Sequence, residues 1–323
     1  MNILVVGGAG YIGSHMVKWL ARHKYQTTTL DDLSSGFAEA VLHGELIIAS
    51  IENMAALDHL FLSHRFDAVM HFASFIQVGE SVKDPSKYYR NNFSNTQNLL
   101  DIMVRHGVKR FIFSSTAAIF GEPTYIPIDE KHIHNPLNPY GRSKLMVEQM
   151  LEDYDCAYGI KSISLRYFNA AGADPEGELG ERHEPETHLI PLVLQVASGR
   201  RDSITVFGSD YDTPDGTCIR DYIHVQDLCA AHWLGLQQLL SGAHSARYNL
   251  GNGNGFSVRE VIETAERTTR RKIPVNAGAR RIGDPARLVA DSSCARKILG
   301  WMPQYSDLET IIQHAWKWEQ KQG

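Results

Sequence analysis

The sequence predicts a doubly wound (Rossmann) α/β fold, in which a parallel sheet is covered by helices on both faces, joined to a smaller mixed α/β C-terminal part. Three observations predict it. Short apolar runs alternate with amphipathic segments through the first half, the first run ends in a glycine-rich turn, and the composition changes after residue 169. Alternation of this kind is typical of βαβ units, whose successive strands lie parallel.

The predicted strands of the first half are short runs rich in β-branched and aromatic residues. They span residues 2–7, 26–32, 45–50, 67–73, 110–116 and 161–169. Helical periodicity is found between them, at about 12–23, 53–64, 86–106 and 140–159. Each strand is therefore expected to be followed by a covering helix.

The character of the chain changes after Asn169. Residues 170–186 are rich in glycine, proline and acidic residues and predict a long loop, and such loops are usually functional or disordered. We expect residues 1–169 to form a dinucleotide-binding domain, to which 219–241 return, and 170–323 to form a smaller substrate-binding domain. Helices are expected up to about residue 240, at 257–270 and at 307–319.

Charge and composition exclude several classes of function. With a net charge of −5 and a pI near 6.3, the chain lacks the excess of positive charge that binding to nucleic acid or to an anionic membrane requires. No segment approaches the length of a membrane span, and the N-terminus lacks the basic region of a signal peptide, so a cytoplasmic protein is expected. The four cysteines lie far apart without a CxxC pair, which argues against a disulfide framework and against a metal site.

The glycine-rich turn "VVGGAGYIGSH" predicts a dinucleotide site. Gly7, Gly10 and Gly13 stand where the first strand gives way to the first helix, and glycines there allow the backbone to approach a pyrophosphate at the helix N-terminus. Asp31 follows at about the distance of ~20 residues expected for the acid that contacts the ribose hydroxyls. Because Asp32 and its neighbours include no arginine or lysine for a 2′-phosphate, NAD is predicted over NADP.

Tyr140 and Lys144 lie four residues apart and share one face of a predicted helix. In isolation such a pair is more often part of a solvated surface. Here the strand 110–116 brings Ser114, Ser115 and Thr116 to the same sheet edge as the glycine turn. We interpret the set as a proton-transfer device, in which the ammonium and a cationic nicotinamide lower the pKa of the phenol.

Motifs along nearly the whole chain carry a family resemblance. They are "GGAGYIGSH", "HFASFIQVGESV", "YYRNN", "FSSTAAIFGE", "NPYGRSKLMVEQ", "LRYFNAAGADPEGELGE", "ITVFG", "GTCIRDYIHV", "YNLGNGNGFSVREV" and "RRIGDPA". The chain resembles the extended short-chain dehydrogenase/reductase family, in the branch that acts on nucleotide sugars.

The resemblance implies a reaction and a cofactor. The expected activity is reversible epimerisation at C4 of UDP-glucose and UDP-galactose through a 4-keto intermediate, with tightly bound NAD as transient oxidant and possible action on UDP-GlcNAc and UDP-GalNAc. The alternatives are a main activity on UDP-GlcNAc or a UDP-pentose and, from another class, a non-catalytic NAD-binding regulatory protein. A homodimer formed through helices 86–106 and 140–159 is also implied.

The resemblance further implies residue roles, with Tyr140 as base, Lys144 as its electrostatic partner and Thr116 at the sugar 4-hydroxyl. The implied cofactor-binding residues are Gly7, Gly10, Tyr11, Ile12, Gly13, Asp31, Asp32, Ser50, Ile51, Phe72, Ala73, Ser74, Asn91, Ser114, Tyr140, Lys144, Tyr167 and Phe168. The implied substrate-binding residues are Thr116, Asn169, His188, Leu189, Phe207, Arg220, Tyr222, Arg281, Asp284 and Leu288. For Arg220, an ion pair with Asp221 or Asp227 is the structural alternative.

Several positions depart from the pattern of the family. Ser50 replaces an aspartate that often meets the adenine, and Ile76 replaces a lysine near the cofactor phosphates. His188 replaces an asparagine of some members. Leu288 stands where side-chain bulk is thought to decide between plain hexoses and N-acetylhexosamines, and its intermediate size leaves that preference open.

Overall fold

A computed structural model of the protein describes residues 1–281 and 284–322. Its strands are β1 (Asn2–Val6), β2 (Gln26–Asp31), β3 (Glu45–Ile48), β4 (Ala68–His71), β5 (Arg110–Thr116), β6 (Lys161–Tyr167), β7 (Asn169–Ala171), β8 (Ile204–Phe207), β9 (Ile219–His224), β10 (Ala246–Leu250), β11 (Gly255–Ser257), β12 (Val275–Gly278) and β13 (Arg287–Leu288). Its α-helices are α1 (Tyr11–Arg22), α2 (Met54–Ser63), α3 (Val78–Lys83), α4 (Pro85–Tyr88), α5 (Asn95–Arg105), α6 (Pro139–Tyr158), α7 (Leu189–Ser198), α8 (Val225–Leu240), α9 (Val258–Thr269) and α10 (Leu308–Glu319).

The main sheet confirms the predicted fold class. Its seven strands follow the order β10-β6-β5-β4-β1-β2-β3, and every neighbouring pair is parallel. The strand order reverses beside β1, where Val5 pairs with Thr29 of β2 and Val6 with His71 of β4. In doubly wound sheets a ligand crevice opens at the carboxyl ends of the strands at this point.

The packing of the sheet follows from the alternation of side chains along its strands. On β1, Ile3 and Val5 join a buried cluster with α1 and α8, whereas Leu4 and Val6 join a second cluster with α2, α5 and α6. Both faces are therefore dry, and this explains why the strands form continuous apolar runs. In the described part of the chain, no helix combines the length and apolarity needed to cross a membrane.

The seventh strand was not predicted. Residues 246–250 fall within the predicted second domain, but β10 pairs with β6 along the edge of the main sheet, with Tyr248 opposite Leu165. Of residues 219–241, α8 packs against β5 and β6, and β9 joins another sheet. Short strands carry little periodicity, so their sheet membership depends on contacts distant in sequence. The two-domain division itself stays a prediction.

The second half forms smaller sheets and a helical cluster. β9 pairs with β7, β11 and β13, and β8 pairs with β12. Helices α7, α9 and α10 pack together around apolar side chains such as Val193, Val261 and Ile311. The segment between β7 and α7 is the long loop expected from the sequence, and it carries side chains to the mouth of the crevice.

Candidate active site

A cavity of about 640 Å³ opens at the carboxyl ends of the main sheet. It runs from the glycine turn and the end of β2, past the start of α6, to the loop before α7 and the β9–β13 pair. The position is the one expected for a ligand site in this fold.

The glycine turn has the geometry that a pyrophosphate requires. Gly7 has a φ of 79°, and a Cβ atom there would lie 2.4 Å from the backbone nitrogen of Ala73. A Cβ atom on Gly13 would lie 2.1 Å from the carbonyl oxygen of Gly7. Helix α1 starts without a side-chain cap and without an acidic residue in its first turn, so its backbone N–H groups can bind an anion.

Asp31 closes the cavity at the end of β2. Its two carboxylate oxygens accept hydrogen bonds from the backbone nitrogens of Ala9 and Leu33, each at 2.9 Å. Burial raises the pKa of this carboxyl, although both hydrogen bonds oppose that shift. The oriented carboxylate retains lone pairs for a ribose diol, and the residues here therefore fit an NAD molecule.

Helix α6 positions Tyr140 and Lys144. Asn138 caps the helix by accepting a hydrogen bond from the backbone nitrogen of Gly141 at 2.9 Å, which places Tyr140 in the first turn against the cavity. The buried Lys144 ammonium donates to the hydroxyl of Ser74 at 2.7 Å and to the carbonyl of Ser114 at 2.8 Å. The two side chains thus belong to one site and not to a solvated helix surface.

The lowering of the Tyr140 pKa by Lys144 and a cationic nicotinamide stays a prediction, and the protein's own groups act in the opposite direction. Burial raises the pKa of Tyr140, and the Thr116 hydroxyl opposes this only in part. Burial also lowers the pKa of Lys144 to about 7, and the charge of Glu148 only partly offsets this. The ammonium is therefore a weak source of positive charge in this structure, and desolvation decides the titration of the phenol.

The three hydroxyls at the end of β5 point to different places. The Ser114 hydroxyl lies 2.5 Å from the Tyr167 hydroxyl, and the Ser115 hydroxyl donates to Glu148 at 2.5 Å. Only Thr116 faces the cavity, beside Tyr140. The alternation of side chains along a strand turns Ser115 to the opposite face from Ser114 and Thr116.

Most residues predicted for the site line the cavity. Those from the cofactor prediction are Gly7, Gly10, Tyr11, Ile12, Gly13, Asp31, Asp32, Ser50, Ile51, Phe72, Ala73, Ser74, Asn91, Tyr140, Tyr167 and Phe168. Those from the substrate prediction are Thr116, Asn169, His188, Leu189, Arg220, Tyr222 and Leu288. Ser114 and Lys144 lie behind its wall, and Phe207, Arg281 and Asp284 lie beyond its end, in the part of the chain that the structure describes.

The residues outside the cavity wall nevertheless form specific pairs, one of which includes Arg220 of the cavity lining. Arg220 forms an ion pair with Asp284, and the Arg281 guanidinium lies 4.1 Å from the centre of the Phe207 ring. The alternative pairing of Arg220 is wrong, because its neighbours are used elsewhere. Asp221 accepts hydrogen bonds from the backbone nitrogens of residues 252, 253 and 290, and Asp227 from those of 304 and 305.

Sequence reasoning missed two side chains of the loop before α7 that line the cavity, Glu181 and His183. Burial alone would lower the pKa of His183, but the close contacts and negative charges of Glu181 and Glu186 outweigh it and raise the pKa to about 9. The same carboxylates raise the pKa of His188 to about 10 against the effect of burial. The signal in the sequence was "HEPETH", two histidines that flank acidic residues.

Comparison with known proteins identifies the family. A family model described as "NAD dependent epimerase/dehydratase family" matches residues 3–251. The chain belongs to that family. The resemblance inferred from the sequence motifs is therefore confirmed. The prediction of NAD as cofactor is confirmed as well, because the family is NAD-dependent.

Members of the family with assigned names and solved structures match over the full length. A UDP-glucose 4-epimerase of Halalkalibacterium halodurans is 51% identical over 321 residues, which cover 99% of this chain and 96% of the relative. The structure of UDP-glucose 4-epimerase from Brucella ovis in complex with NAD has a TM-score of 0.96 and 50% identity, covering 98% and 97% of the two chains. A UDP-glucose-4-epimerase of Stenotrophomonas maltophila, solved with NAD and formylated UDP-arabinopyranose, has a TM-score of 0.96 and 39% identity, covering 100% and 98%.

Proposed function

We propose that this protein is a UDP-glucose 4-epimerase, which interconverts UDP-glucose and UDP-galactose by reversible epimerisation at C4. One observation carries the proposal: the Tyr140 phenol and the Thr116 hydroxyl face the same cavity as the glycine turn and Asp31, and Arg220 lies at its other end. A hexose linked to a nucleoside diphosphate can therefore meet a proton acceptor and a bound dinucleotide together.

The roles of the chain's own residues follow from their placement. Tyr140 takes the proton of the sugar 4-hydroxyl and later returns it, and Thr116 holds the reacting oxygen in line. NAD, when bound beside Asp31 and the glycine turn, would supply a group that can accept a hydride from C4 and return it. Lys144 serves the phenolate as a nearby cation, since negative charge developing in the cavity favours the protonated amine.

The remaining predicted substrate residues divide between the two ends of the substrate. Arg220 and Arg281 carry the forked charge that suits a diphosphate, with Phe207, Tyr222 and Asp284 around the nucleoside. Asn169, His188, Leu189 and Leu288 surround the hexose. Anchoring the diphosphate supplies the binding energy that retains the keto intermediate while the ring turns.

The choice of UDP-glucose and UDP-galactose rests on the names of relatives at about half identity, such as that of Halalkalibacterium halodurans. These names favour the plain hexoses over UDP-GlcNAc or a UDP-pentose as main substrate. The presence of both Tyr140 and Lys144 favours an enzyme over a regulatory NAD-binding protein. We also propose a cytoplasmic homodimer that associates through α5 and α6.

The test is a product assay on the purified protein. UDP-galactose, UDP-GlcNAc and UDP-xylose are incubated separately, and the nucleotide sugars are resolved by chromatography. We expect UDP-galactose to be converted to UDP-glucose with the largest kcat/KM. The proposal would be contradicted if none of the three nucleotide sugars were converted. A larger kcat/KM for UDP-GlcNAc than for UDP-galactose would reverse the order of substrates.

A further inference from the structure

Two imidazole and two carboxylate groups converge in the loop before α7, at the wall of the cavity. We call this set the His/Glu cluster, and its members are Glu181, His183, Glu186 and His188. One potential ligand atom from each residue lies within 4.8 Å of all the others. The two carboxylate side chains are almost fully buried, at 6% and 5% exposure.

Three of the four imidazole–carboxylate separations in the cluster are longer than most hydrogen bonds. His183 Nδ1 lies 3.4 Å from a Glu181 oxygen and 3.5 Å from a Glu186 oxygen, and His188 Nδ1 lies 3.5 Å from the other Glu186 oxygen. An ion bound tetrahedrally at 2.0–2.1 Å holds its ligands about 3.3 Å apart, whereas N–H···O bonds centre near ~2.9 Å. The fourth separation, from His188 Nδ1 to Glu181, is 2.7 Å.

The hydrogen bonding of the cluster is incomplete. Within the described residues, neither Nδ1 atom makes a hydrogen bond of acceptable geometry, although both atoms are buried. One Glu186 oxygen accepts the backbone N–H groups of Thr187 at 2.7 Å and His188 at 2.9 Å, which orients the carboxylate. In metal sites, the carboxylates that bind the ion are typically oriented by such additional hydrogen bonds.

A second acidic group nearby shows what a satisfied cluster looks like. Asp174, Glu176 and Glu178 surround the Lys18 ammonium, with Nζ–O distances of 2.7, 2.8 and 2.5 Å. The carboxylates of the His/Glu cluster meet only the imidazoles of His183 and His188: among the described residues, no lysine or arginine pairs with Glu181 or Glu186, and Arg182 pairs with Glu39 and Glu184 instead.

We propose that the His/Glu cluster binds one divalent transition-metal ion, with Zn²⁺ the favoured occupant. Two imidazoles and two carboxylates supply the four mixed N/O donors that Zn²⁺ takes, whereas Mg²⁺ and Ca²⁺ prefer oxygen ligands alone. The absence of a cysteine pair predicts no metal site, and histidines and carboxylates scattered in a loop give no such signal in the sequence. An irregular loop has no periodicity from which the convergence of these side chains could be read.

The position of the cluster assigns the ion a structural role. The His183 ring packs edge-on to the ring of Tyr11, at 6.5 Å between centres, and Tyr11 donates a hydrogen bond from its hydroxyl to the carbonyl of Gly172 at 2.7 Å. His188 immediately precedes α7. The ion ties this loop between the glycine turn and α7, on the side of the cavity where the hexose is proposed to bind.

The test measures metal directly and needs no substrate. Untagged protein is dialysed against ZnCl₂, then against metal-free buffer, and its metal content is determined by plasma mass spectrometry. We expect about one Zn²⁺ per chain in the wild type and less than about 0.2 in a His183→Gln/His188→Gln variant. The control is His59→Gln, which changes an exposed histidine of α2 and should retain the ion.

Two further measurements keep the outcome decisive if the double variant folds poorly. Co²⁺ added to chelator-treated wild type should give the intense visible absorption of a tetrahedral site, and Glu186→Gln should weaken Zn²⁺ binding at least about 10-fold. Chelation of the wild type should lower Tm by roughly 3–6 °C. The proposal would be overturned if the wild type held no Zn²⁺ above the background, or if His183→Gln/His188→Gln held as much Zn²⁺ as the control His59→Gln. Either result would leave the epimerase assignment unaffected.

Discussion

The Nζ atom of Lys144 lies 2.7 Å from the Oγ atom of Ser74 and joins α6 to the segment that follows β4. The same ammonium reaches the carbonyl of Ser114 at the end of β5. One buried amine thus links three elements around the cavity, and its desolvation has consequences for stability as well as for chemistry.

The first prediction concerns the pH dependence of stability. The unfolded lysine titrates near 10.4, whereas burial lowers the pKa of Lys144 to about 7 in the folded protein. Between these values the unfolded chain binds a proton that the folded protein does not, so stability falls as the pH falls from about 10 to about 7. Lys144→Met should remove this loss. Between pH 7 and pH 10, we expect the free energy of unfolding of the wild type to increase by roughly 2–4 kcal/mol more than that of the variant.

Urea unfolding at a series of pH values measures this difference. Lys83→Met, at an exposed lysine of α3, is the control and should follow the wild type. Parallel pH profiles for the wild type and Lys144→Met would show that the buried amine keeps its proton.

The second prediction concerns the proposed base. Tyr140→Phe removes the phenol that faces the cavity and keeps its ring, so kcat should fall by about 10²–10⁴ while NAD stays bound. The measurements are turnover of UDP-galactose and NAD released per chain on denaturation. Tyr158→Phe, at the far end of α6 where the side chain is 49% exposed, should keep wild-type turnover. Near-normal kcat in Tyr140→Phe would remove the phenol from the mechanism.

The third prediction concerns the diphosphate end of the cavity. Arg220→Leu removes a guanidinium paired with Asp284, and we expect KM for UDP-galactose to rise by about 10- to 100-fold with a smaller change in kcat, as for loss of a charge-assisted contact. Steady-state kinetics measure the split. The control is Arg105→Leu, which breaks the ion pair between Arg105 and Asp58 at 2.9 Å. Neither of these two residues lines the cavity. An equal rise of KM in both variants would point to general destabilisation.

The fourth prediction concerns substrate choice. Leu288 lines the cavity and, like Phe168, packs against a buried cluster that includes the short helical turn after Thr116. Leu288→Ser enlarges the wall there, so kcat/KM for UDP-GlcNAc relative to UDP-galactose should rise about 10-fold, and Leu288→Tyr should lower it. Leu62→Ser, at an exposed leucine, serves as control. A ratio that is unchanged in both Leu288 variants would place the N-acetyl pocket elsewhere.

The sequence by itself predicted six of the seven strands of the main sheet, the glycine turn and the placement of Tyr140 and Lys144 on one face of a helix. Runs of β-branched, apolar and aromatic residues located β1 to β6, each of which alternates with a predicted helix, whereas β10, with the sequence ARYNL, carries no such run. Gly7 and Gly13 were readable because only glycine fits their backbone contacts. Tyr140 and Lys144 were readable because helical spacing places residues four apart on one face.

Only the tertiary structure decided how these residues act. It placed β10 at the sheet edge and turned Ser114, Ser115 and Thr116 toward three different partners. It also raised the pKa of Tyr140, because burial depends on every element packed around a group and not on its neighbours in sequence. The His/Glu cluster belongs with these: its four side chains meet through an irregular loop, where side-chain direction follows from long-range packing and leaves no period in the sequence.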